Sequence, residues 1–575
     1  MITLERKRTI WSENHGESNF REEYPEFSMV SLIKETASKY PNNTALEFQN
    51  RKTTFSEFIT LIETMAKSLI LIGIKKGDFV SVVAPNTPQA LISVYAINRI
   101  GAVANMIHPL LSANEIKKFV EHVNSKAVIT FDMLYSKLAG VKWETSQKPV
   151  IVLARIADAL PSYLKPFYLM KNKLKLQFNT NHDIVYWNNF MKSGKQKSEP
   201  LPPDDGKGDD IAAVLYSGGT TGIPKGVMIH NRAFNCMAVQ AEEIKRDDTK
   251  NVVGKKALAV MPVFHGFGLA MCMHVMLYFG MHVLLVPKFD FNVCSKLIFK
   301  KKINHVYAVP ALFEALSRTE EIEKKDLSFL EMVAFSGDKC SEKLLKTMNG
   351  YLKKGGSSEQ MTEAYGLTEC LSAACISPFF AHKKGSTGLP LPDNEIKICK
   401  IGTREEVPLG EDGEICITGP TLMKGYYKND AETDIALRIH DDGKKWLHTG
   451  DIGCMDEDGY LYYRQRYCKM IITSGYNVYP TQIEEVINEC RGVALNCVVG
   501  VPDRTLGQRI VAVVQPTDMN IDLASLKKEI LEKCKKNVAD FAIPKEIVFK
   551  EEMPKTAMGK VNFKKLVEEY EKGEV

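Results

Sequence analysis

The most informative stretch of the sequence is Tyr216-Ser-Gly-Gly-Thr-Thr-Gly-Ile-Pro-Lys-Gly226, which follows a short apolar run at Ile211–Tyr216. Its glycines allow positive φ angles and bring backbone N–H groups close to phosphate oxygens, while its hydroxyl groups and its lysine add donors and charge. It lacks the Gly-Lys-Ser/Thr ending of a Walker A loop. The pattern therefore predicts a phosphate-binding loop of another kind. The residues assigned to this loop are Ser217, Gly218, Gly219, Thr220, Thr221, Gly222 and Lys225.

Around this loop, apolar runs of strand length alternate with helical patterns. The helix pattern at Phe55–Ile72, for example, is followed by the strand patterns Phe79–Val83 and Ala127–Thr130. Repeated alternation of this kind predicts a mostly parallel sheet covered by helices, because strands buried on both faces are short and apolar throughout. The later strand candidates are Ile211–Tyr216, Ala257–Met261, Val283–Val286, His305–Val309 and Met332–Ser336.

The pattern of apolar and polar residues changes after Asp393. Short alternating runs separated by turn residues indicate a small β-rich subdomain, and the segment from about Tyr467 onward has helices and strands of its own. The strand candidates of the subdomain are Glu395–Cys399, Gly413–Ile417 and Asp458–Tyr462. The last segment has predicted helices at Gln482–Glu489 and Leu523–Lys535 and predicted strands at Leu495–Val499 and Ile510–Val514.

Length and pattern together predict two domains, because 575 residues are too many for one compact core. We expect a large α/β amino-terminal domain over residues 1–465, with parallel sheets flanked by helices and a small β-rich subdomain. A small α+β carboxyl-terminal domain should follow over residues 466–575.

Composition limits the classes of partner. Lysine and arginine exceed aspartate and glutamate by only 75 − 70 = 5, which is too small an excess to indicate nucleic-acid binding. The stretch from Met1 to Glu23 has no apolar core of the kind that a signal peptide needs, so we expect a cytoplasmic protein. Its 13 cysteines include no C-x-x-C pair that would suggest a zinc or redox motif, and we interpret them as reduced, mostly buried thiols.

Two stretches raise the question of membrane contact. Gly268–Pro287 carries no formal charge and is long enough to span a bilayer, but His274, Gly280 and His282 favour a helix over 268–279 followed by a strand over 281–286. Residues 160–175 interleave aromatic residues with lysines, a composition that suits the surface of an anionic membrane. A solvated loop or helix that packs its apolar side on the domain gives the same pattern.

Four further motifs follow the Tyr216–Gly226 loop along the chain, namely Ala364-Tyr-Gly-Leu-Thr-Glu369, Leu447-His-Thr-Gly-Asp451, Arg466 with Gly475-Tyr-Asn-Val-Tyr-Pro480, and Pro554-Lys-Thr-Ala-Met-Gly-Lys560. This ordered set resembles the adenylate-forming superfamily. That superfamily includes acyl-CoA synthetases, aryl-CoA ligases, peptide-synthetase adenylation domains and firefly luciferase. The resemblance implies an ATP-dependent ligase that forms an acyl-adenylate and passes the acyl group to coenzyme A, with Mg²⁺ required and a mobile carboxyl-terminal domain.

The resemblance also implies roles for single residues in the binding of ATP. Thr368 would contact the α-phosphate, while Glu369 and Thr220 would hold Mg²⁺. Asp451 would accept hydrogen bonds from both ribose hydroxyls, assisted by Arg466. Adenine would lie against Tyr365, Gly366 and the turn Ser336-Gly337-Asp338, which departs from the Gly-Ala/Glu-Pro that is usual in the family.

Other implied roles belong to the carboxyl-terminal domain. Lys560 would neutralise the charge that develops at the α-phosphate during adenylation. Cys468 stands at the hinge position, where the family usually has an acidic residue or a lysine. Contacts with coenzyme A are assigned to Ser474, Gly475 and Tyr476.

The identity of the acid is suggested by the segment Met261–Leu269. Amino-acid-activating relatives usually have an aspartate here, and this chain has Phe264-His-Gly-Phe267 instead, so amino acids are disfavoured. His265 would orient the carboxylate, although a core histidine fits the pattern equally. The apolar stretches Leu269–Met276 and Val309–Phe313 favour a medium- or long-chain fatty acid.

Three alternatives stay open at this point. A ligase of the same chemistry could load a carrier protein instead of coenzyme A, or the acid could be an aryl or bile acid. A catalytically silent scaffold is the third, although it predicts decayed motifs. The sequence does not distinguish a monomer from a homodimer.

Overall fold

The computed structural model describes residues 23–138, 141–144, 148–172, 184–217, 225–244, 251–288, 290–338, 340–378, 381–467, 470–473, 476–478, 480–503, 506–555 and 561–572. The strands in chain order are β1 (Thr44–Phe48), β2 (Arg51–Thr54), β3 (Phe79–Val83), β4 (Val103–Ile107), β5 (Ala127–Phe131), β6 (Val150–Ala154), β7 (Ile184–Tyr186), β8 (Ile211–Ser217), β9 (Lys225–His230), β10 (Lys256–Ala259), β11 (His282–Leu285), β12 (His305–Ala308), β13 (Met332–Phe335), β14 (Met361–Tyr365), β15 (Cys375–Ile376), β16 (Leu389–Pro390), β17 (Glu395–Cys399), β18 (Gly413–Thr418), β19 (Gly425–Tyr426), β20 (Leu437–Ile439), β21 (Lys445–Met455), β22 (Leu461–Arg466), β23 (Ile471–Thr473), β24 (Tyr476–Val478), β25 (Val493–Asp503), β26 (Gly507–Pro516) and β27 (Glu546–Phe549).

The α-helices in chain order are α1 (Met29–Lys39), α2 (Phe55–Leu71), α3 (Pro88–Arg99), α4 (Ala113–His122), α5 (Asp132–Leu138), α6 (Ile156–Ala159), α7 (Lys165–Asn172), α8 (Trp187–Gln196), α9 (Asn231–Glu243), α10 (Met276–Tyr278), α11 (Phe291–Lys301), α12 (Pro310–Ser317), α13 (Glu342–Lys354), α14 (Asp430–Ala436), α15 (Pro480–Asn488), α16 (Leu523–Asn537) and α17 (Phe563–Glu571). A π-helix at Phe267–Val275 leads directly into α10, and short 3₁₀ turns lie at Ile322–Lys324, Thr368–Cys370 and Asp540–Ala542.

Four sheets organise these strands. The first has the order β16-β15-β14-β13-β12-β10-β11-β1-β2, the second β19-β9-β8-β4-β3-β5-β6-β7, the third β17-β18-β21-β20 with β22 beside β21, and the fourth β24-β23-β26-β25 with β27 beside β26. The chain forms two compact units. The amino-terminal unit contains the residues up to Ile396 together with Ile417–Leu447, and the carboxyl-terminal unit contains Lys397–Cys416 and His448–Val575.

The first two sheets belong to the amino-terminal unit and are mostly parallel, as the alternation of patterns predicts. Strands β10, β12, β13 and β14 run parallel, and every residue of β4 and β5 is buried. The helices between the strands begin at residues with strong capping preferences. At the start of α2, for example, Thr54 Oγ1 accepts from the Glu57 N–H at 3.2 Å and Glu57 Oε2 accepts from the Thr54 N–H at 2.8 Å.

The fourth sheet, in the carboxyl-terminal unit, is covered on both faces. Along β25 and β26 alternate residues belong to two different cores, as the period of two in a strand requires. Val498 and Ile510 pack with Ile530 of α16 on one face, and Val499 and Val511 pack with Leu566 of α17 on the other. The fold is therefore a large α/β unit with a smaller α+β unit, as predicted.

The predicted elements agree with the structure within a few residues, with one exception among those described. The pattern Asp458–Tyr462 is not a strand, because Asp456 Oδ1 accepts hydrogen bonds from the N–H groups of Asp458 and Tyr460 and forms a turn. The strand β22 begins only at Leu461. Within the uncharged stretch, the π-helix and α10 are followed by β11, which confirms the predicted order of a helix and then a strand. None of the described helices combines the length and apolar character needed to cross a membrane.

Candidate active site

The predicted phosphate loop connects two antiparallel strands. Ser217, at the end of β8, lies directly opposite Lys225, at the start of β9. Residues 218–224 between them lie outside the described residues, and so the predicted contacts of Gly218, Gly219, Thr220, Thr221 and Gly222 stay predictions. Lys225 itself belongs to strand β9 rather than to the loop.

Glu369 accepts hydrogen bonds from two other residues of the candidate site in the amino-terminal unit. The hydroxyl of Ser217 donates a hydrogen bond to its Oε1 at 2.8 Å, and the hydroxyl of Tyr426 donates to the same oxygen at 3.1 Å. Glu369 and Tyr426 are both buried. The structure thus joins the end of the phosphate loop to the acidic residue of the Thr368-Glu369 motif, 152 positions further along the chain.

Tyr426 is the residue that sequence reasoning missed. It lies in β19, which pairs with β9 and places Tyr426 opposite Val227. The ammonium of Lys225 lies 4.9 Å from the centre of the Tyr426 ring and 2.5 Å from Glu432 Oε2. The ring therefore packs against the cation while its hydroxyl binds Glu369, which is a favourable orientation for both groups. Only the position of Gly425-Tyr426 between two motifs offered a signal for it.

The backbone after Thr368 and Glu369 is strained. Leu371 has a φ of +67°, and the N–H of Ser372 donates to the carbonyl of Cys370 at 2.8 Å, which closes a γ-turn of the rare kind. Positive φ at a bulky residue costs on the order of 1–3 kcal/mol and persists only when the surroundings fix it. Leu371 is buried, so the packing around it supplies this constraint.

The segment of His265 packs directly against this turn. A Cβ atom built on Gly266 would lie 1.9 Å from the carbonyl oxygen of Leu371, so only glycine fits there. His265, the preceding residue, is half-buried, and its carbonyl accepts from the Leu269 N–H at 2.9 Å. The structure therefore brings the backbone of the His265 segment close to the Thr368-Glu369 motif, while the role of its imidazole stays a prediction.

The predicted adenine-binding residues share one edge of the first sheet. The turn Ser336–Asp338 follows β13, and Tyr365-Gly366 follows at the end of β14, which is the parallel neighbour of β13. Carboxyl ends of parallel strands are the usual place for ligands in α/β proteins. Gly337 has a φ of +82°, and a Cβ on Gly366 would lie 1.7 Å from the carbonyl oxygen of Ser372. Both glycines are therefore required by the backbone.

The apolar segment Leu269–Met276 follows β10, and burial keeps its histidine, His274, uncharged. Leu269, Met273 and Met276 are fully buried. His274 is buried too, with its Nδ1 3.0 Å from the hydroxyl of Tyr95, and burial lowers its pKa to about 3. A histidine with this pKa is uncharged at neutral pH. The segment therefore carries no charge in the folded protein.

The carboxyl-terminal unit contains the predicted ribose carboxylate. Asp451 of β21 lies directly opposite Arg466 of β22, and Asp451 Oδ1 is 3.0 Å from Arg466 Nε. The side chain of Asp451 is 4% exposed, whereas that of Arg466 is 44% exposed, so only the guanidinium reaches into solvent. The Thr449 hydroxyl accepts from the Asp451 N–H at 3.0 Å and fixes the turn.

A buried glutamate supports the same turn. Glu414 Oε1 accepts from the N–H of Gly450 at 3.1 Å, and its Oε2 lies 2.9 Å from His448 Nδ1. Burial favours the neutral form of this carboxyl, but the hydrogen bond and charge of His448 and the Gly450 N–H together hold its pKa below the ordinary value. Glu414 therefore stays ionised and anchors the backbone beside Asp451.

The structure describes the residues on both sides of the segment 556–560, which contains Lys560. Lys555 pairs with Val561 in an antiparallel bridge, and the N–H of Asn562 donates to the carbonyl of Pro554 at 2.7 Å. Lys560 lies outside the described residues, as do the predicted hinge residue Cys468 and the predicted coenzyme A contacts Ser474 and Gly475. Tyr476, the third predicted coenzyme A contact, pairs with Thr473 across the β23–β24 hairpin.

Comparison with known proteins identifies the family. The AMP-binding enzyme model matches residues 33–427, and the model of the AMP-binding enzyme carboxyl-terminal domain matches residues 482–560. A long-chain-fatty-acid–CoA ligase of Bacillus subtilis is 31% identical over 95% of both chains. A 2-succinylbenzoate–CoA ligase of Bacillus mycoides is 28% identical over 94% of this chain and 99% of its own.

A solved structure shares the fold. The anthranilate CoA ligase AuaEII, in complex with anthranoyl-AMP, has a TM-score of 0.79 and 21% identity, and the match covers 94% of this chain and 96% of that one. The family models alone match far more than half of the sequence. The chain therefore belongs to the AMP-binding enzyme family of adenylate-forming proteins, as its motifs predicted, and it is an AMP-forming acid–thiol ligase.

Proposed function

We propose that this ligase converts medium- or long-chain fatty acids to their coenzyme A thioesters, with ATP as the source of energy and Mg²⁺ as the required cation. In the first step the carboxylate attacks the α-phosphate of ATP to give acyl-AMP and pyrophosphate. In the second step the thiol of coenzyme A displaces AMP and gives the thioester. The observation that carries the choice of acid is the uncharged, methionine-rich segment Phe264–Met276. The similarity to a long-chain ligase along nearly the whole chain supports it.

The surroundings of Glu369 fit the cation. Among the described residues, its hydrogen bonds come from two neutral hydroxyls, those of Ser217 and Tyr426, and both go to Oε1. A buried carboxylate with neutral partners is stabilised by a bound cation, and carboxylate oxygens are ligands that Mg²⁺ prefers. Mg²⁺ would supply positive charge to the phosphates, and Glu369 would be its protein ligand, with Thr220 as the second assigned residue.

The remaining roles follow from the resemblance and agree with local chemistry. Thr368 and the hydroxyls and N–H groups of the loop would bind phosphate oxygens, while Lys225 and Lys560 would offset their charge. Asp451 is buried and ionic, as an acceptor for two ribose hydroxyls should be. His265 would orient the carboxylate of the acid. Tyr365 and the Ser336–Asp338 turn would hold adenine.

We expect the rate of adenylation to rise with the length of the acid. Each CH₂ group that is buried in an apolar environment contributes about 0.8 kcal/mol, so a long saturated acid should outperform acetate by several orders of magnitude in kcat/KM. Pyrophosphate release with saturated acids of 2 to about 18 carbons measures this. Benzoate and 2-succinylbenzoate serve as controls, because a relative acts on the latter. A preference for acetate, for an amino acid or for either aromatic acid would contradict the assignment.

The acceptor can be identified in the same assay. Release of free acyl-CoA from acid, ATP and coenzyme A is expected. If adenylate accumulates with coenzyme A and is consumed only when a phosphopantetheine-bearing carrier protein is added, the chain loads a carrier protein instead.

We also propose that the surface around α7 contacts an anionic membrane. Three large apolar side chains are exposed to solvent in this segment, namely Tyr163 at 61%, Phe167 at 67% and Met170 at 72%. Phe167 and Met170 are three residues apart in α7 and so lie on one side of that helix, and Tyr163 lies in the turn just before it. The stretch from residue 160 to residue 182 contains four lysines and no acidic residue. Exposed apolar side chains in a lysine-rich segment without acidic residues suit the headgroup region of anionic lipids.

Vesicle binding tests this surface. The protein should bind vesicles that contain phosphatidylglycerol, and it should bind pure phosphatidylcholine much more weakly because the lysines then lack their partners. The double variant Phe167→Ser/Met170→Ser should bind at least about tenfold more weakly, since each large apolar side chain contributes about 1.5–3 kcal/mol on burial. Ile435→Ser/Ile439→Ser is the matched control, because these residues are also exposed, at 57% and 60%. Equal binding by both variants would contradict the proposal.

A further inference from the structure

A cluster of four potential metal ligands lies in the carboxyl-terminal unit. Glu414 and Cys416 come from β18, His448 comes from β21, and Cys399 ends β17. The donor atoms of Glu414, Cys416 and His448 all lie within 4.8 Å of one another, and the thiol of Cys399 lies beside that of Cys416. All four residues are buried. Strands β18 and β21 thus direct one sulfur, one imidazole and one carboxylate to the same place, and β17 places a second sulfur next to the first.

We propose that Cys399, Glu414, Cys416 and His448 bind one Zn²⁺ ion. Thiolate and imidazole ligands select borderline-soft ions, and two cysteines, one histidine and one carboxylate give the four ligands of a closed structural zinc site. The site would tie β17, β18 and β21 together within the unit. Its function is structural and does not depend on which acid the ligase activates.

The distances among Glu414, Cys416 and His448 suit this ion, and the side chain of Cys399 would have to turn toward them to complete the site. A tetrahedral Zn²⁺ ion has Zn–S distances of about 2.3 Å and Zn–N distances of about 2.0 Å, which separate its ligand atoms by about 3.3 to 3.8 Å. Cys416 Sγ lies 3.6 Å from His448 Nδ1, inside this range. Glu414 Oε2 lies 2.9 Å from the same nitrogen, so these two atoms would part by about 0.4 Å. Small side-chain rotations supply such a change.

The zinc site would also help to fix the turn that carries Asp451, the predicted ribose ligand. Oε1 of Glu414 accepts from the N–H of Gly450, next to Asp451, while Oε2 accepts from the N–H of Gly402 at 3.4 Å. With Oε2 bound to the ion, Glu414 would keep its hydrogen bond to Gly450 and hold the turn in place. Ligands that are fixed by backbone hydrogen bonds in this way resemble the supporting shell of known zinc sites.

Metal analysis of the untagged full-length protein tests the proposal. After growth in zinc-supplemented medium and gel filtration, mass spectrometry should count about one zinc per chain. Cys399→Ser and Cys416→Ser should each weaken zinc binding by at least about 100-fold, the upper end of what loss of a supporting partner costs. Cys534→Ser, which changes a buried thiol elsewhere in the same unit, should retain the metal.

A second measurement needs no variant. Addition of Co²⁺ to the metal-free wild-type protein should produce the near-ultraviolet thiolate-to-metal charge-transfer band, and added Zn²⁺ should abolish it and raise the Tm. If the purified wild type contains no zinc, shows no such band and has a Tm that Zn²⁺ leaves unchanged, the cluster is a hydrogen-bonded network and the proposal is wrong. Equal zinc content in Cys534→Ser and Cys416→Ser would also overturn it.

Discussion

Replacement of Lys560 with alanine is expected to abolish ATP-dependent pyrophosphate release while leaving the thioester step nearly unchanged. During adenylation a carboxylate approaches the α-phosphate, and two anions must come together. Loss of one preorganised cation at such a centre costs about 10²–10³-fold or more in rate. The second step, in which coenzyme A attacks the finished adenylate, involves less negative charge at phosphorus. A single-turnover comparison of both steps on the same preparation measures the difference.

The structure supplies a control for this variant. The loop of Lys560 is closed by the Lys555–Val561 bridge, and Asn562 caps α17 by accepting from the Lys565 N–H at 3.2 Å. Neither contact involves the side chain of Lys560, so the variant should fold. Lys555→Ala removes an exposed lysine from the same loop and should affect neither step. If chemically prepared acyl-adenylate reacts with coenzyme A as slowly as ATP and acid react, Lys560 has a structural role and the assignment fails.

The sequence predicted best the elements in which the pattern of buried residues matches one regular period, as in a fully buried strand or an amphipathic helix. Strand Phe79–Val83 agrees with the structure at both ends, because a buried parallel strand is a short, mostly apolar run, here interrupted only by Ser81. The helix Phe55–Leu71 ends within one residue of its prediction. The pattern at Asp458–Tyr462 was misleading, since alternation of polar and apolar residues also arises where an aspartate closes a turn before a strand.

For the candidate site, the sequence predicted residues that belong to local motifs, but it did not predict the contacts between distant segments. Ser217, Thr368 and Glu369 could each be identified from their own segments, but the hydrogen bond between Ser217 and Glu369 joins positions 152 residues apart. Tyr426 has no motif of its own that sequence reasoning used, and its contact with Glu369 depends on the pairing of β19 with β9. One sequence carries no direct record of such pairings.

The cysteines show the same limit. No two of them have the short spacing of a zinc motif, and the sequence therefore suggested ordinary buried thiols. The structure agrees that each described cysteine is a buried free thiol. It also brings Cys399 and Cys416, which are separated by 16 residues, into contact beside His448. Sheet formation, not local spacing, creates the cluster.

Replacement of Asp451 with alanine should weaken ATP binding by roughly 1.5–3 kcal/mol for each hydrogen bond that the carboxylate accepts. For two ribose hydroxyls this corresponds to a loss of about two to four orders of magnitude in affinity. Folding should survive, because the partner of Asp451 is Arg466, whose side chain is 44% exposed and can be hydrated when the carboxylate is gone. Direct titration of the purified protein with ATP measures the change, without dependence on turnover.

A matched ion pair in the same unit distinguishes the loss of a nucleotide contact from the loss of a salt bridge. Asp412 Oδ1 lies 3.1 Å from Arg464 Nε, and Arg464 belongs to β22, two residues before Arg466. Asp412→Ala removes a carboxylate from an arginine of the same strand and should leave the affinity for ATP unchanged. If Asp412→Ala weakens ATP binding as much as Asp451→Ala does, the effect comes from the strand. If neither variant weakens it, the ribose binds elsewhere. Only a selective loss in Asp451→Ala supports Asp451 as the ribose ligand, because only that result requires the carboxylate itself.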